Sequence, residues 1–139
     1  MLFNPKLGCV LYLVVGAVEG LSVGVYHYRT SGHELVRHAA TDVRKELASA
    51  AYNQSWLATA PAVLVFTGVY ERTVKKYGKR GLCYVHMEAG HAAQNVYLQA
   101  EARSLGTVIM GAFDDARVRS VLNLPDDHQP IGLMPVGRR

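Results

Sequence analysis

From residue 81 to residue 105, apolar side chains recur at Leu82, Val85, Ala89, Ala92, Val96 and Ala100, in steps of three and four. That spacing keeps one stripe of an α-helix apolar along its whole length. The middle of the stripe is narrow, because Ala89, Gly90, Ala92 and Ala93 add little volume. A helix of this kind lies unusually close to whatever backbone it packs against. It must be a central element, and the rest of the chain has to be arranged around it.

Composition sets the outer limits. A chain of 139 residues with 50% hydrophobic content fits one domain with a substantial core, residues 1–139. The longest apolar run, 7–18, has about a dozen residues where a membrane-spanning helix needs roughly 20, and its Val, Leu and Tyr content reads as a buried strand. Asn4-Pro5-Lys6 precedes strand-like sequence without a small-residue cleavage site, so no secretory signal is expected and a cytoplasmic location follows. Cys9 and Cys83 fall in different expected elements and have no metal-ligand companions at suitable spacing. The net charge of +4 is dispersed, densest in 72–80 and at Arg138-Arg139, and lacks the interleaved aromatics of a single-strand binder. Neither nucleic acid nor membrane is an expected partner. No Gly-x-Ser-x-Gly turn, P-loop or paired-glycine dinucleotide fingerprint is present.

The first half reads as sheet. A strand is expected over 10–18, and the alternating segments 23–29 and 33–38, joined by Thr30-Ser31-Gly32, read as a hairpin. Thr41 is the expected N-cap of a helix over 43–51, with Asp42 in an acidic first turn and Val43, Leu47 and Ala50 or Ala51 on one face. Trp56 and Leu57 suggest a short further helix. Pro61 then stops helical sequence, and the β-rich run 62–69 reads as a central strand covered on both faces. Residues 70–77 read as helix, and Gly78 and Gly81 permit a bend before the long helix. Gly106 is the expected C-cap of that helix, 107–111 a strand, Asp114 the N-cap of a helix through Leu122, and 131–136 the last strand.

A buried helix that feeds a glycine-bearing strand end can hold a flat cofactor. The backbone around Met110, Gly111, Ala112 and Phe113 is the candidate surface, because small residues let main-chain N–H groups come within hydrogen-bonding range of a planar ligand; the bland alternative is a plain strand-to-helix turn. Arg138 and Arg139 are candidates for a phosphate, though terminal arginines are commonly solvated. Glu88, His91, Gln94 and Asn95 share a helical face, but His91 has no second His or Cys at a suitable offset. A structural role is expected for them and no metal site.

Taken in order, several segments resemble the nitroreductase-like flavoprotein superfamily, and in particular its azoline-oxidising, SagB-type dehydrogenase branch. They are Gly24-Val25-Tyr26-His27-Tyr28, Trp56 before Ala60-Pro61-Ala62-Val63, Glu71-Arg72-Thr73 leading to Lys76-Tyr77-Gly78, Glu88-Ala89-Gly90-His91-Ala92-Ala93-Gln94-Asn95, Gly111-Ala112-Phe113-Asp114-Asp115 and Pro135-Val136-Gly137-Arg138. The resemblance implies an α+β fold with a mixed, mainly antiparallel sheet flanked by helices, an intimate homodimer, and FMN bound near the subunit interface, with NAD(P)H or an organic substrate as its redox partner. It also implies that Lys76 and Tyr77 are the catalytic pair, one of them removing a proton as hydride passes to flavin N5. The helices with an Arg-rich, phosphate-gripping loop that usually open this family have no counterpart in the sequence, so weakened FMN affinity is expected. Two other outcomes stay open at this point: a cofactor-poor dimeric scaffold of the same fold, and a small-ligand binding protein that uses the interface cleft.

Overall fold

A computed structural model describes residues 8–139; Leu7, the first residue of the long apolar run, and Asn4-Pro5-Lys6 lie outside that span. In chain order the elements are β1 (Cys9–Val15), β2 (Gly24–Arg29), β3 (Glu34–Ala39), α1 (Arg44–Ala50), α2 (Trp56–Thr59), β4 (Ala62–Gly68), α3 (Tyr70–Tyr77), α4 (Arg80–Ala102), β5 (Leu105–Thr107), α5 (Asp115–Leu122) and β6 (Gln129–Arg138). The strands form one sheet in the order β3-β2-β1-β4-β6-β5, and every pairing between them is antiparallel. This is the α+β, helix-flanked arrangement expected from the sequence, with the long helix α4 across one face.

Both faces of the sheet are covered, which explains why β4 is apolar at successive positions rather than at alternate ones. On one face, Cys9, Phe66 and Met134 pack against Ala89, Ala92 and Ala93 of α4. On the other, Val10, Tyr12, Val14, Val63, Val65 and Leu133 meet Leu47, Leu57, Val118 and Leu122 from α1, α2 and α5. A bulge keeps β6 in phase with both layers. Phe66 faces Gly132 and Thr67 faces Pro130, so Ile131 is the extra residue, and it joins Met134 on the α4 side.

Several boundaries differ from the sequence expectation, each for a local reason. Strand β1 stops at Val15 rather than residue 18, because the N–H groups of Gly16 and Ala17 both turn to the carbonyl of Pro61, at 3.0 Å each. Thr41 does not cap α1, and Val43 occupies the N-cap position. Asp42 instead takes the Arg44 N–H at 3.1 Å and grips the Arg44 guanidinium at 2.9 and 2.7 Å. That local Asp–Arg bonding outcompetes the Thr cap. Helix α4 ends at Ala102, and Ser104, at φ 57°, makes the left-handed turn that Gly106 was expected to supply. Gly106 is thereby released into β5, opposite Gly137. The expected strand over 107–111 is also broken: the ladder ends at Thr107, and only Met110 returns to the sheet, as a single bridge to Leu133. Asp114 does cap α5, accepting the Arg117 N–H at 3.0 Å. Among the described residues no helix is long and apolar enough to cross a membrane.

Two glycines of α4 make opposite predictions. A Cβ on Gly81 would sit 2.8 Å from the Val74 nitrogen and 2.9 Å from the Thr73 carbonyl carbon, whereas a Cβ on Gly90 would meet nothing within 4 Å. Gly81→Ala is expected to destabilise by about 1–3 kcal/mol through forced backbone movement, and Gly90→Ala to stabilise by about 0.5–1 kcal/mol through helix propensity. Urea denaturation midpoints check both signs.

Candidate cofactor cleft

The turn between β5 and α5 is pinned at both ends and open in the middle. Tyr97 of α4 accepts the Ile109 N–H through its hydroxyl at 2.7 Å. Met110 and Leu133 exchange backbone bonds at 2.8 and 2.9 Å, and the Asp114 N–H donates to the Ala50 carbonyl at 2.9 Å. The side chains of Met110 and Phe113 are buried in the core, so only their main chain can meet a ligand. Gly111 and Ala112 are exposed, and the Cβ side of Gly111 faces open space. Among the described residues, neither the Gly111 nor the Ala112 N–H has an acceptor. The Gln54 amide reaches the Ala112 carbonyl at 3.4 Å, and Trp56 Nε1 donates to Gln54 at 3.2 Å, which ties this turn to α2.

Beside the turn, a cleft of about 620 Å³ opens between α2 and the β5–β6 edge. Trp56, Pro61, Val108 and Val136 make its apolar walls, with Thr59, Thr107 and Arg138 as its polar members. Trp56 is 48% exposed, a large aromatic surface for a molecule of this size to leave uncovered. Thr107 Oγ1 is buried without a hydrogen-bond partner among the described residues. The Arg138 side chain is exposed and forms no ion pair among the described residues, whereas Arg139 is taken by Glu101. An apolar-walled slot with a free guanidinium, and unpaired N–H donors on the neighbouring turn rather than in its lining, suit a flat, anionic ligand. A flavin mononucleotide fits that donor set.

Lys76 and Tyr77 lie elsewhere. They end α3, where the Lys76 Nζ stands 5.0 Å from the Tyr77 ring centroid and Tyr77 packs edge-on against Tyr84 near the start of α4. Glu101, the partner of Arg139, is at the other end of that helix; at about 1.5 Å per residue, roughly 25 Å of helix separates Tyr84 from it. Of the expected site residues only Arg138 lines the cleft; Met110 bridges Leu133 while Leu105 pairs with Arg138, so the 110–113 turn lies further along the same β6 edge, and the Lys-Tyr pair is remote from both. Among the described residues no group of three or more His, Cys, Asp or Glu is placed to hold a metal ion. Glu88 accepts the Cys9 N–H at 3.4 Å, and His91, Gln94 and Asn95 are exposed. Burial, reinforced by Glu88, pushes the Cys9 thiol up to about 12, which rules out a resting thiolate there.

Sequence reasoning missed Tyr97, Gln54 and Thr107, whose roles arise from contacts between distant segments. It also missed a cluster in which Tyr12 and His128 are buried, His27 is half-buried and His38 is exposed. The Tyr12 hydroxyl and His128 Nδ1 lie 2.8 Å apart, and the Tyr12 ring packs against His27, His38 and His128 at centroid distances of 5.1, 5.7 and 5.8 Å. Burial pushes the Tyr12 hydroxyl up to about 12, with Asp127 adding to it. Burial lowers His128 against the opposing pull of Asp127, and burial together with His38, Arg29 and Arg72 lowers His27.

Comparison with known proteins agrees with this architecture. The model of the nitroreductase family matches residues 10–138, and the chain belongs to that family. It is 48% identical over 129 residues to a Methanocaldococcus jannaschii protein named as a candidate nitroreductase, covering 93% of this chain and 64% of that protein. It superposes on the crystal structure of a candidate nitroreductase from Anabaena variabilis with a TM-score of 0.89 at 32% identity, covering 94% of this chain and 27% of the other. A chain of the Escherichia coli microcin synthetase McbBCD complex shares the fold, with a TM-score of 0.83 at 22% identity over 96% of this chain and 53% of that one. This chain therefore spans less than two thirds of the length of each of these relatives.

The histidine shifts set a pH dependence. Because His27 and His128 are depressed below their ordinary 6.5, the unfolded state binds more protons in mild acid, and stability falls as pH drops below about 6.5. Because Tyr12 is raised from 10 to about 12, stability also falls as pH rises between those values. Melting temperature against pH should show a plateau between the two limbs. Tyr12→Phe strips the buried His128 nitrogen of its partner and should cost about 1–3 kcal/mol. Tyr97→Phe should raise hydrogen exchange at the Ile109 amide while the α4 interior stays protected.

Proposed function

We propose that this chain is the flavin-binding core of an FMN-dependent oxidoreductase. The observation that carries this reading is the exposed Gly111-Ala112 turn, with its unsatisfied N–H groups, set beside a cleft that has Arg138 at its far end. When bound, the flavin supplies the redox chemistry by taking or giving a hydride at N5. The chain's own part is to bind and orient. Gly111 and Ala112 donate backbone hydrogen bonds to the ring edge, Trp56 and Val136 exclude water from it, Thr107 offers its unpaired hydroxyl, and Arg138 neutralises the phosphate.

Lys76 and Tyr77 serve on this reading as the proton-handling pair for the substrate. Since one protomer holds them a helix length away from Arg138, they reach a cleft only if a second copy presents them. A two-fold homodimer with antiparallel α4 helices brings the start of one α4 to the end of the other; Ala89, Ala92 and Ala93 are turned to the sheet, and the exposed Met87, Gly90 and Leu98 leave α4 an outward face for such an approach. Membership of the nitroreductase family supports the redox reading, with NAD(P)H as reductant and a nitro, quinone or flavin acceptor. Dehydrogenation of an azoline heterocycle is the reading specific to the SagB-type branch, and the Lys76-Tyr77-Gly78 segment and the 88–95 motif support it. A cytoplasmic setting suits its two free thiols.

The first test is optical. The purified protein should carry visible flavin absorbance, or take up added FMN with saturable fluorescence quenching; a colourless preparation without saturable quenching sinks the flavoenzyme and leaves the scaffold or another small ligand. Arg138→Ala should weaken FMN by about tenfold or more, as expected for a charge-assisted phosphate contact. Lys76→Ala and Tyr77→Phe should lower turnover by roughly a hundredfold while flavin content stays constant. Unchanged rates reject their assignment.

A further inference from the structure

Gly106 is a glycine that the fold itself does not require. The turn at the end of α4 is made by Ser104, and Gly106 sits inside β5, opposite Gly137 of β6. Its φ is not positive. A Cβ at this position would stand 3.6 Å from Arg139 Cγ and 4.0 Å from the Gly137 carbonyl oxygen, which are ordinary contact distances. Neither backbone conformation nor packing within the chain therefore excludes a side chain, and a glycine inside a strand weakens it by leaving nothing to pack. Gly137 differs, because a Cβ there would lie 3.1 Å from Pro61 Cδ.

Both glycines line the cofactor cleft. Residues paired across a ladder turn their side chains to the same face of the sheet, so this rung leaves a patch of bare backbone on one face. The closeness of Pro61 to the Gly137 position marks that face as the one turned toward the start of β4 and α2, where Trp56 forms the opposite wall of the cleft. Pro61 covers the Gly137 half. Over Gly106 the nearest side-chain atom is Arg139 Cγ, and the Arg139 guanidinium is drawn off to Glu101.

The place of this rung along the edge decides what crosses it. Arg138 pairs with Leu105 on the next rung outward, and Leu133, which bridges Met110, lies further inward on β6. At about 3.4 Å per residue, roughly 13 Å of strand separates Gly137 from Leu133. A flavin with its ring edge at the 110–113 turn and its phosphate at Arg138 must therefore run its connecting chain over the glycine rung.

We propose that the bare backbone of Gly106, with Gly137 beside it, is the floor on which the ribityl chain of FMN lies, so that glycine at 106 is a requirement of the ligand and not of the fold. This inference rests on the flavin reading above and adds to it a residue that decides what the cleft admits.

The test is a titration of the full-length wild type, Gly106→Ala and Gly106→Val with FMN, followed by fluorescence quenching, with a urea denaturation of each protein. Both variants should keep a urea midpoint at or above that of the wild type, since a Cβ has room and valine suits a strand. Affinity for FMN should fall in the order wild type, Ala, Val, by about tenfold or more for Val, because the added methyl groups occupy the space of the chain. At saturation the visible spectrum of the bound flavin should match that of the wild type, because the turn still holds the ring. Gly106→Val with full FMN affinity overturns the floor and leaves the flavin reading standing, whereas a wild type that takes up no FMN overturns both. A lowered urea midpoint in both variants assigns the glycine to the fold, and a shifted bound-flavin spectrum puts the ring rather than the chain over Gly106; either result overturns the proposal.

Discussion

The contact on which the rest depends is the close seat of α4 on the sheet. Ala89, Ala92 and Ala93 let the helix lie directly over Cys9, Phe66 and Met134, and dispersion gained at that distance is lost steeply if the gap widens. The seat also sets the reach of the polar groups on the helix. From this height the Tyr97 hydroxyl meets the Ile109 N–H and Glu101 meets Arg139, so the geometry of both the open turn and the end of β6 is inherited from the small-residue stripe. A bulkier stripe would lift these anchors away from their partners.

The same seat makes the candidate site two-sided. Its binding elements, the Gly111-Ala112 turn and Arg138, are gathered near the far end of α4, while Lys76 and Tyr77 stand by its start. A rigid helix cannot bring its own ends together, so on the proposed reading catalysis requires two copies of the chain. The device is economical in sequence, since one helix both supports the binding turn of its own subunit and carries the Lys-Tyr end toward the other. The face covered by α1, α2 and α5 also holds buried polar contacts, among them the Tyr12-His128 pair and the bond from the Thr67 hydroxyl to the Val10 carbonyl.

Much of this was legible in the residues. The apolar period of α4, the continuous β-rich run of β4, the alternating hairpin of β2 and β3 and the Asp114 cap are local signals, and each held in the fold. Most of the misplaced boundaries share a physical cause, a partner far along the chain. The Pro61 carbonyl ends β1, and pairing with β6 takes Gly106 into β5 and leaves the turn to Ser104. At Thr41 the rival was nearer, a single Asp-Arg grip that a propensity argument does not weigh. For the site, the exposed glycine turn could be seen in sequence, whereas Tyr97, Gln54 and the orphan Thr107 hydroxyl could not, since none carries a pattern of its own.

The sequence by itself determined the fold class, the central helix and the family, because periodicity and ordered motifs are properties of the chain read in one direction. Tertiary structure alone decided which chemistry shares a surface. It set the Gly111 turn and Arg138 along the same β6 edge and parted both from Lys76 and Tyr77, because distances between segments are set by packing and by strand register, and neither is written at any single position.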